Sequence, residues 1–384
     1  MPSKSSIFNL HIGLRAFMTG GVLRPAAAGV RGRVDLFLCI ADHFEPQVKR
    51  PSPAIARARL EDWLRRYPAI ADRHRDADGR PPAHSFFYPW DEYDAWEFRH
   101  LSQLCAEGWG EIELHLHHRD DTEASLRRKL REAVLTYREQ GALSTGPDGR
   151  AAFGFIHGNW ALDNSRCEAG RNYCGVNNEL TILKEEGCYA DLTFPAWQHL
   201  SQPRQTNRIY YAFDDPLRPK SYDRGRNAQA GRSCANALLL LQGPLVPYMD
   251  RRRLRIAMDD GDLASYRRYS PARLDRWVRA GIHVEGRPDC VFIKLHCHGA
   301  ADRNREALLG EDLEALFTDA ETRYNDGARY RLHYVTAREM FNVVKWIEAG
   351  GEAYSSAARD WLLPPPTAAL CRSEETLPTL HTVR

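Results

Sequence analysis

Four short segments concentrate side chains that bind cations or move protons. They are Asp42-His43-Phe44-Glu45, His115-Leu116-His117-His118, His157-Gly158-Asn159-Trp160 with Asp163 close behind, and His296-Cys297-His298. Seven of the fifteen histidines fall in them. Imidazole is a ligand for zinc and similar divalent ions, and it exchanges a proton near neutral pH. Burying such groups unpaired is costly, so a metal or a reaction is the usual reason to assemble them. In an extended chain, alternate side chains share a face. Glu111, Glu113, His115 and His117 therefore line one face, while Ile112, Leu114 and Leu116 line the other. His118 points away from the first set. His115 and His117 can thus reach one ion. A third ligand from Asp42 or His43 would leave a position open for water, as a catalytic metal site requires.

Each cluster follows an apolar run. Residues 34–41 are almost continuously apolar, the pattern of a strand buried on both faces. Further strands are predicted over 84–88, 111–117, 152–157, 188–193, 235–241, 253–258, 290–296 and 330–335. Helical spacing of apolar residues predicts helices over 56–67, 92–105, 122–140, 178–186, 271–280, 304–319 and 337–349. Strands alternating with helices imply a parallel sheet, as a barrel or a doubly wound layer. In a barrel the chemistry sits at the carboxyl ends of the strands, which is where the four clusters fall. Residues 196–235 are rich in Pro, Gly, Asn, Arg and Tyr and lack periodicity, so they read as an irregular insertion. The expected organisation is an N-terminal extension over 1–30, a catalytic unit over 31–350, and a Pro-rich, loosely ordered tail over 351–384.

Composition narrows the class. Lys and Arg total 53 against 51 Asp and Glu, so no strong field favours nucleic acid. The basic run over 251–255 is followed at once by Asp259, Asp260 and Asp262, and reads as a solvated charged face. Nine cysteines without a Cys-x-x-Cys pair suit a reducing compartment, and a cytoplasmic location is expected. No stretch of about 20 apolar residues is present to span a membrane. Residues 7–18 have apolar positions at helical spacing but include His11 and Arg15, which breaks the core of a signal peptide. They read as an amphipathic helix that packs on the body, with contact to a membrane surface as the alternative. There is no Gly-x-Gly-x-x-Gly after a strand and no phosphate loop, so no nucleotide cofactor is expected.

Over roughly residues 33–347 the chain resembles the polysaccharide deacetylases, the NodB-like superfamily that includes carbohydrate esterase family 4. Asp42-His43 stands where that family's first motif ends in two aspartates, one a base and one a metal ligand. Glu111-Ile112-Glu113-Leu114-His115 is similar to the strand and first histidine of the metal pair. The family's second histidine comes four residues later, where this chain has Arg119, so His117 or His118 takes its place. Asn177-Asn178-Glu179 and the stretch from Leu183 to Pro195 look like the family's helix, glycine turn and next strand. Ile293-Lys294-Leu295-His296 resembles the motif that supplies the catalytic acid, and Tyr334 to Met340 is similar to the family's closing segment. An arginine-containing third motif is replaced by His157-Gly158-Asn159-Trp160-Ala161-Leu162-Asp163-Asn164.

The resemblance implies a distorted (β/α)7 barrel and a divalent metal, zinc by preference, on ligands drawn from Asp42, His43, His115 and His117. The implied reaction is removal of an N- or O-linked acetyl group from a sugar or polysaccharide, in company with polysaccharide-assembly machinery. In that scheme Asp42 or Asp163 takes the proton of the attacking water, and His296 or His298 protonates the leaving group. His157, Asn159, Trp160 and Trp90 would contact the substrate, with Tyr93, Trp197, Tyr210 and Tyr211 as further rings able to stack on sugars. Three alternatives stand beside it. A glycoside hydrolase would pair Asp42 or Glu45 with Asp163. An amidohydrolase or phosphoesterase would use the His-x-His pair. A catalytically inactive carbohydrate-binding homologue would keep the site without turnover.

Overall fold

The computed structural model describes residue 30 and residues 32–168, 170–250 and 254–366. The amphipathic segment over 7–18 lies outside these residues. The chain runs β1 (Val34–His43), α1 (Pro53–Ala71), β2 (His84–Pro89), α2 (Ala95–Ala106), β3 (Gly110–Leu116), α3 (Glu123–Glu139), β4 (Ala151–His157), α4 (Glu179–Glu185) and β5 (Cys188–Asp191). It continues through β6 (Ile209–Ala212), β7 (Leu238–Leu241), α5 (Pro271–Ala280), β8 (Cys290–Cys297), α6 (Glu311–Tyr324), β9 (Tyr330–Tyr334) and α7 (Ala337–Glu348). The residues predicted as a strand over 253–258 form instead one arm of a separate hairpin, Val246–Asp250 against Arg255–Asp259. Among the described residues no helix is long and apolar enough to cross a membrane.

The main sheet has the order β6-β7-β5-β4-β3-β2-β1-β8, with short strands at both ends. Most of its pairs are parallel, and β6 runs antiparallel to β7. β9 pairs with the first half of β1, and β2 pairs with its last three residues. This is a mixed α/β fold. Hydrogen bonding does not close the sheet into the expected barrel among the described residues. After β5 the chain doubles back through antiparallel β6, so one end of the sheet is an antiparallel pair and not a parallel strand able to meet β8. A side chain spans part of this gap. Lys294 on β8 donates from Nζ to the carbonyls of Leu192 and Phe194, both at 2.7 Å, just beyond β5.

Strand alternation sorts the core into two layers. Leu36, Leu38 and Ile40 of β1, Leu114 and Leu116 of β3, and Phe153 and Phe155 of β4 join one apolar cluster with α1 to α6. We call this the outer face. Phe37, Cys39 and Ala41 of β1, Ile156 of β4 and Phe292 of β8 join a second cluster with α7 on the inner face. The helix ends follow local chemistry. Asp94 caps α2 by accepting from Trp96 N and Glu97 N. Capping boxes open α3 at Thr122 and Ser125, and α7 at Thr336 and Glu339. The helix predicted over 304–319 is broken: a single turn, Arg305–Leu308, precedes Gly310, and α6 starts at Glu311.

Two segments expected to be irregular are partly built into the body. Within 196–235, Tyr210 Oη donates to Tyr222 O at 2.7 Å and Tyr222 Oη donates to Ser201 O at 2.6 Å, all under cover. Of the tail expected over 351–384, residues 351–366 are described, and they are anchored to the body at Tyr354, Ala358, Arg359 and Leu363. Arg359 is fully buried and pairs with Asp76 (2.6 Å), Asp78 (2.9 Å) and Glu339 (3.2 Å).

Candidate metal centre

The inner face at the carboxyl ends of β1, β3 and β8 gathers four histidines around one carboxylate. His43 is the last residue of β1 and, by alternation from Phe37, Cys39 and Ala41, faces inward. Glu45 lies two residues on. One oxygen of its carboxylate is 3.0 Å from His115 Nε2 and 3.0 Å from His117 Nε2. The other is 3.5 Å from His298 Nδ1. The His43 ring centre lies 4.9 Å from that of His115 and 4.7 Å from that of His298. Donor atoms of His43, Glu45 and His115 lie within 4.8 Å of one another, and all three residues are buried.

Two of the four histidines have their second ring nitrogen held by a partner, as metal ligands do. His115 Nδ1 sits 3.0 Å from the carbonyl of Ile156, which accepts its proton, so Nε2 is the atom presented to Glu45. His117 Nδ1 faces the Asp91 carboxylate at 3.2 Å, and the same carboxylate accepts from His117 N at 2.8 Å. His43 Nδ1 is buried without a hydrogen-bond partner. Gly158 gives room for this packing, since a Cβ there would strike the His117 ring.

Charge follows burial and neighbours. Burial works against the Glu45 carboxylate, but its close contacts with His115, His117 and His298 hold its pKa well below the usual range. Burial, reinforced by His298 and His115, pushes His43 well down. Burial also lowers His115 despite Glu45. For His117, burial is outweighed by Asp91 and Glu45, which push it up to about 10. His298 is likewise raised by Glu45 against burial. Burial and the Glu45 charge raise Glu92 to about 7, and one of its oxygens is buried and unpaired. The centre thus has neutral imidazoles beside a carboxylate, a charged histidine at its rim, and a carboxyl that titrates near neutrality.

Of the residues singled out from sequence, the structure brings together His43, His115, His117 and His298, with Trp160 over them. The Trp160 ring lies 5.5 Å from His43 and 5.7 Å from His298, and stacks on His199 at 5.1 Å. Asp42 is elsewhere. Alternation turns it to the outer face, where it sits 3.0 Å from His84 Nε2 and accepts from Gly299 N at 2.6 Å. His296 is inward but below the rim; burial pushes it down to about 3 and leaves its Nδ1 unpaired. Asp163 accepts from Ser221 N at 2.6 Å, and its own amide donates to Glu179 at 2.5 Å. Burial, with nearby Asp214, raises it to about 8. His157 follows Phe155 onto the outer face, and Asn159 donates from Nδ2 to His118 O at 2.7 Å. Trp90 packs against Tyr93 and Tyr137.

Tyr210 is buried, and Tyr211 donates to Glu348 at 2.6 Å, so neither offers a free ring face. Trp197 lines a cavity of about 970 Å³ beside the 246–259 hairpin, together with Tyr248, Arg255 and Arg267. That cavity is lined by none of the four histidine segments.

Three residues of the centre are absent from the ligand set expected from sequence. Glu45 lies in the first of the four segments and shares the His43 face by simple alternation. Asp91 and Glu92 lie in the turn Trp90–Glu92 after β2, where no spacing rule points to them. Comparison of the chain with protein-family models, curated proteins and solved structures yields no match.

Proposed function

We propose that the chain is a metal-dependent hydrolase that removes acyl groups, acetyl first among them, from a sugar or polysaccharide, on a sheet that is a strongly distorted relative of the (β/α)7 barrel. The observation that carries the metal is the meeting of His115 Nε2 and Glu45 at 3.0 Å while His115 Nδ1 is committed to Ile156 O. A neutral ring held this way aims a lone pair at a carboxylate, and a cation between them resolves the conflict. The sugar and the acyl group come from the sequence resemblance alone.

His43, Glu45 and His115, with His117 beside them, are the side chains that would hold the ion. A bound zinc polarises a carbonyl and lowers the pKa of its water towards about 7. The remaining work falls to the chain. Glu92, which has a carboxylate oxygen within 4.8 Å of His117 and is raised to about 7, would accept a proton from the nucleophile. His298, whose pKa Glu45 raises against burial and whose side chain is about one-quarter exposed, would protonate the leaving amine or alcohol. It replaces His296 in that role because His296 is buried and held neutral. Trp160 walls the site and offers an aromatic face to a sugar ring. Zinc content and acetate release from N- and O-acetylated glycans, measured on the same preparation before and after chelation, test the proposal. Loss of acetate release with the metal supports it, and undiminished release from metal-free protein overturns it.

A further inference from the structure

On the outer face, between the ends of β3 and β4 and the start of α4, lies a second cluster that the proposed reaction does not use. His118 Nε2 is 2.9 Å from Glu179 Oε1, and His157 Nε2 is 3.9 Å from the same oxygen. The thiol of Cys174 donates to the other Glu179 oxygen at 3.2 Å. All four side chains are fully buried, and one donor atom from each lies within 4.8 Å of the others. Ligands around a four-coordinate zinc stand about 3.3–3.8 Å apart, given its bond lengths. The cluster therefore needs only small adjustments to close on an ion.

We infer that His118, His157, Cys174 and Glu179 form a second, structural metal site that takes zinc or a similarly soft divalent cation. Two further observations point to a ligand. His157 Nε2 is buried, faces into the cluster and has no hydrogen-bond partner. The far nitrogen of His118, Nδ1, rests 3.1 Å from the Asp121 carboxylate without a formed hydrogen bond, so a carboxylate able to orient the ring as a metal ligand stands beside it. His157 also meets Asn159 N at Nδ1, at 3.2 Å. Ligation through Nε2 moves its proton to Nδ1 and opens that long contact. Binding also displaces the Cys174 thiol proton, so protons are released to solvent as the ion enters.

Four protein ligands and no exposed side leave no place for substrate, which makes the site structural. Its task follows from what it ties down. The loop between His157 and Cys174 holds Trp160, Asp163 and Asn164 at φ of 47°, 53° and 53°, a region that side chains other than glycine seldom adopt. Such a backbone persists only when its surroundings over-determine it. An ion clamping both ends of the loop would do so, and would hold the Trp160 ring over His43.

Cobalt(II) loading of the purified full chain tests this independently of the inner centre, because no cysteine belongs to the His43, Glu45 and His115 group. The expected result is a near-ultraviolet thiolate-to-cobalt charge-transfer band that vanishes in Cys174→Ser and persists in His115→Ala and in Cys297→Ser. Absence of the band in the unsubstituted protein, or its persistence in Cys174→Ser, overturns the site. Should Cys174→Ser fail to fold, X-ray absorption of the zinc-loaded, unsubstituted protein decides. With both sites filled, one sulfur per two zinc ions is expected, at about 2.3 Å, and a shell of nitrogen and oxygen alone overturns it.

Discussion

His115 presents Nε2 to Glu45 at 3.0 Å while its Nδ1 is held by the Ile156 carbonyl at 3.0 Å. The two contacts come from different strands, since Glu45 follows β1 and Ile156 belongs to β4. The register that sets β3 beside β4 therefore also fixes which imidazole nitrogen faces the carboxylate. Substituting His115 or Glu45 by Ala should remove the ion of this centre and abolish hydrolysis together. Metal analysis beside an acetate assay checks this, and a variant that has lost this ion but keeps normal turnover would sink the assignment.

Asp91 touches the centre only through His117. Asp91→Asn should weaken metal affinity about 10- to 100-fold, the usual effect of losing an outer hydrogen bond to a ligand. It should leave the thermal midpoint nearly unchanged, because the Asp91 side chain is about one-third exposed. Titration with a competing chelator measures the first and a melting curve the second.

His298→Gln should lower kcat by about 10²- to 10⁴-fold, the range for loss of a general acid, with metal content intact. In the unsubstituted protein the alkaline fall in rate reports deprotonation of this histidine, which Glu45 raises above its ordinary value despite burial. The pH profile of the variant should lose that limb. A profile identical in shape to that of the unsubstituted enzyme would assign the proton to another group.

Stability has its own pH signature at Asp259. This buried carboxylate meets Arg273 at 3.0 Å, Arg276 at 2.7 Å and Trp277 Nε1 at 3.0 Å. Burial opposes its charge, but the two arginines hold its pKa down at about 2. Its contribution is fully present above the unfolded value of about 4 and is lost as pH falls from about 4 to about 2, a change of about 2 kcal/mol. Asp259→Asn should cost about 3 kcal/mol at neutral pH by stranding the buried Arg273 guanidinium and the partly buried Arg276 beside it, and should flatten the acid limb. Denaturant unfolding across that pH range is the check.

The alternation of apolar strands and helices was legible in sequence because buried parallel strands read as near-continuous apolar runs. So was the gathering of histidines at strand ends, and alternation separated His115 and His117 from His118. Alternation also separates Asp42 from His43, because adjacent strand residues face opposite ways, and it puts Glu45 on the His43 side. The open sheet was not legible, because β6 and β7 are as apolar as a parallel pair would be. Asp91 and Cys174 lie in turns, where spacing carries no facing rule. Arg359 follows a stretch that looks polar and loose, and only its three carboxylate partners, distant in sequence, explain why it is buried.

The most direct test of the central claim joins one preparation to two readings: bound divalent metal, and acetate released from an acetylated glycan, each followed through chelation and zinc readdition. The account predicts that acetate release and the zinc held at the His43, Glu45 and His115 centre fall together and recover together, and that His115→Ala regains zinc only at the His118 and Cys174 site, with no acetate release. Acetate release that continues undiminished after the metal is gone would contradict it.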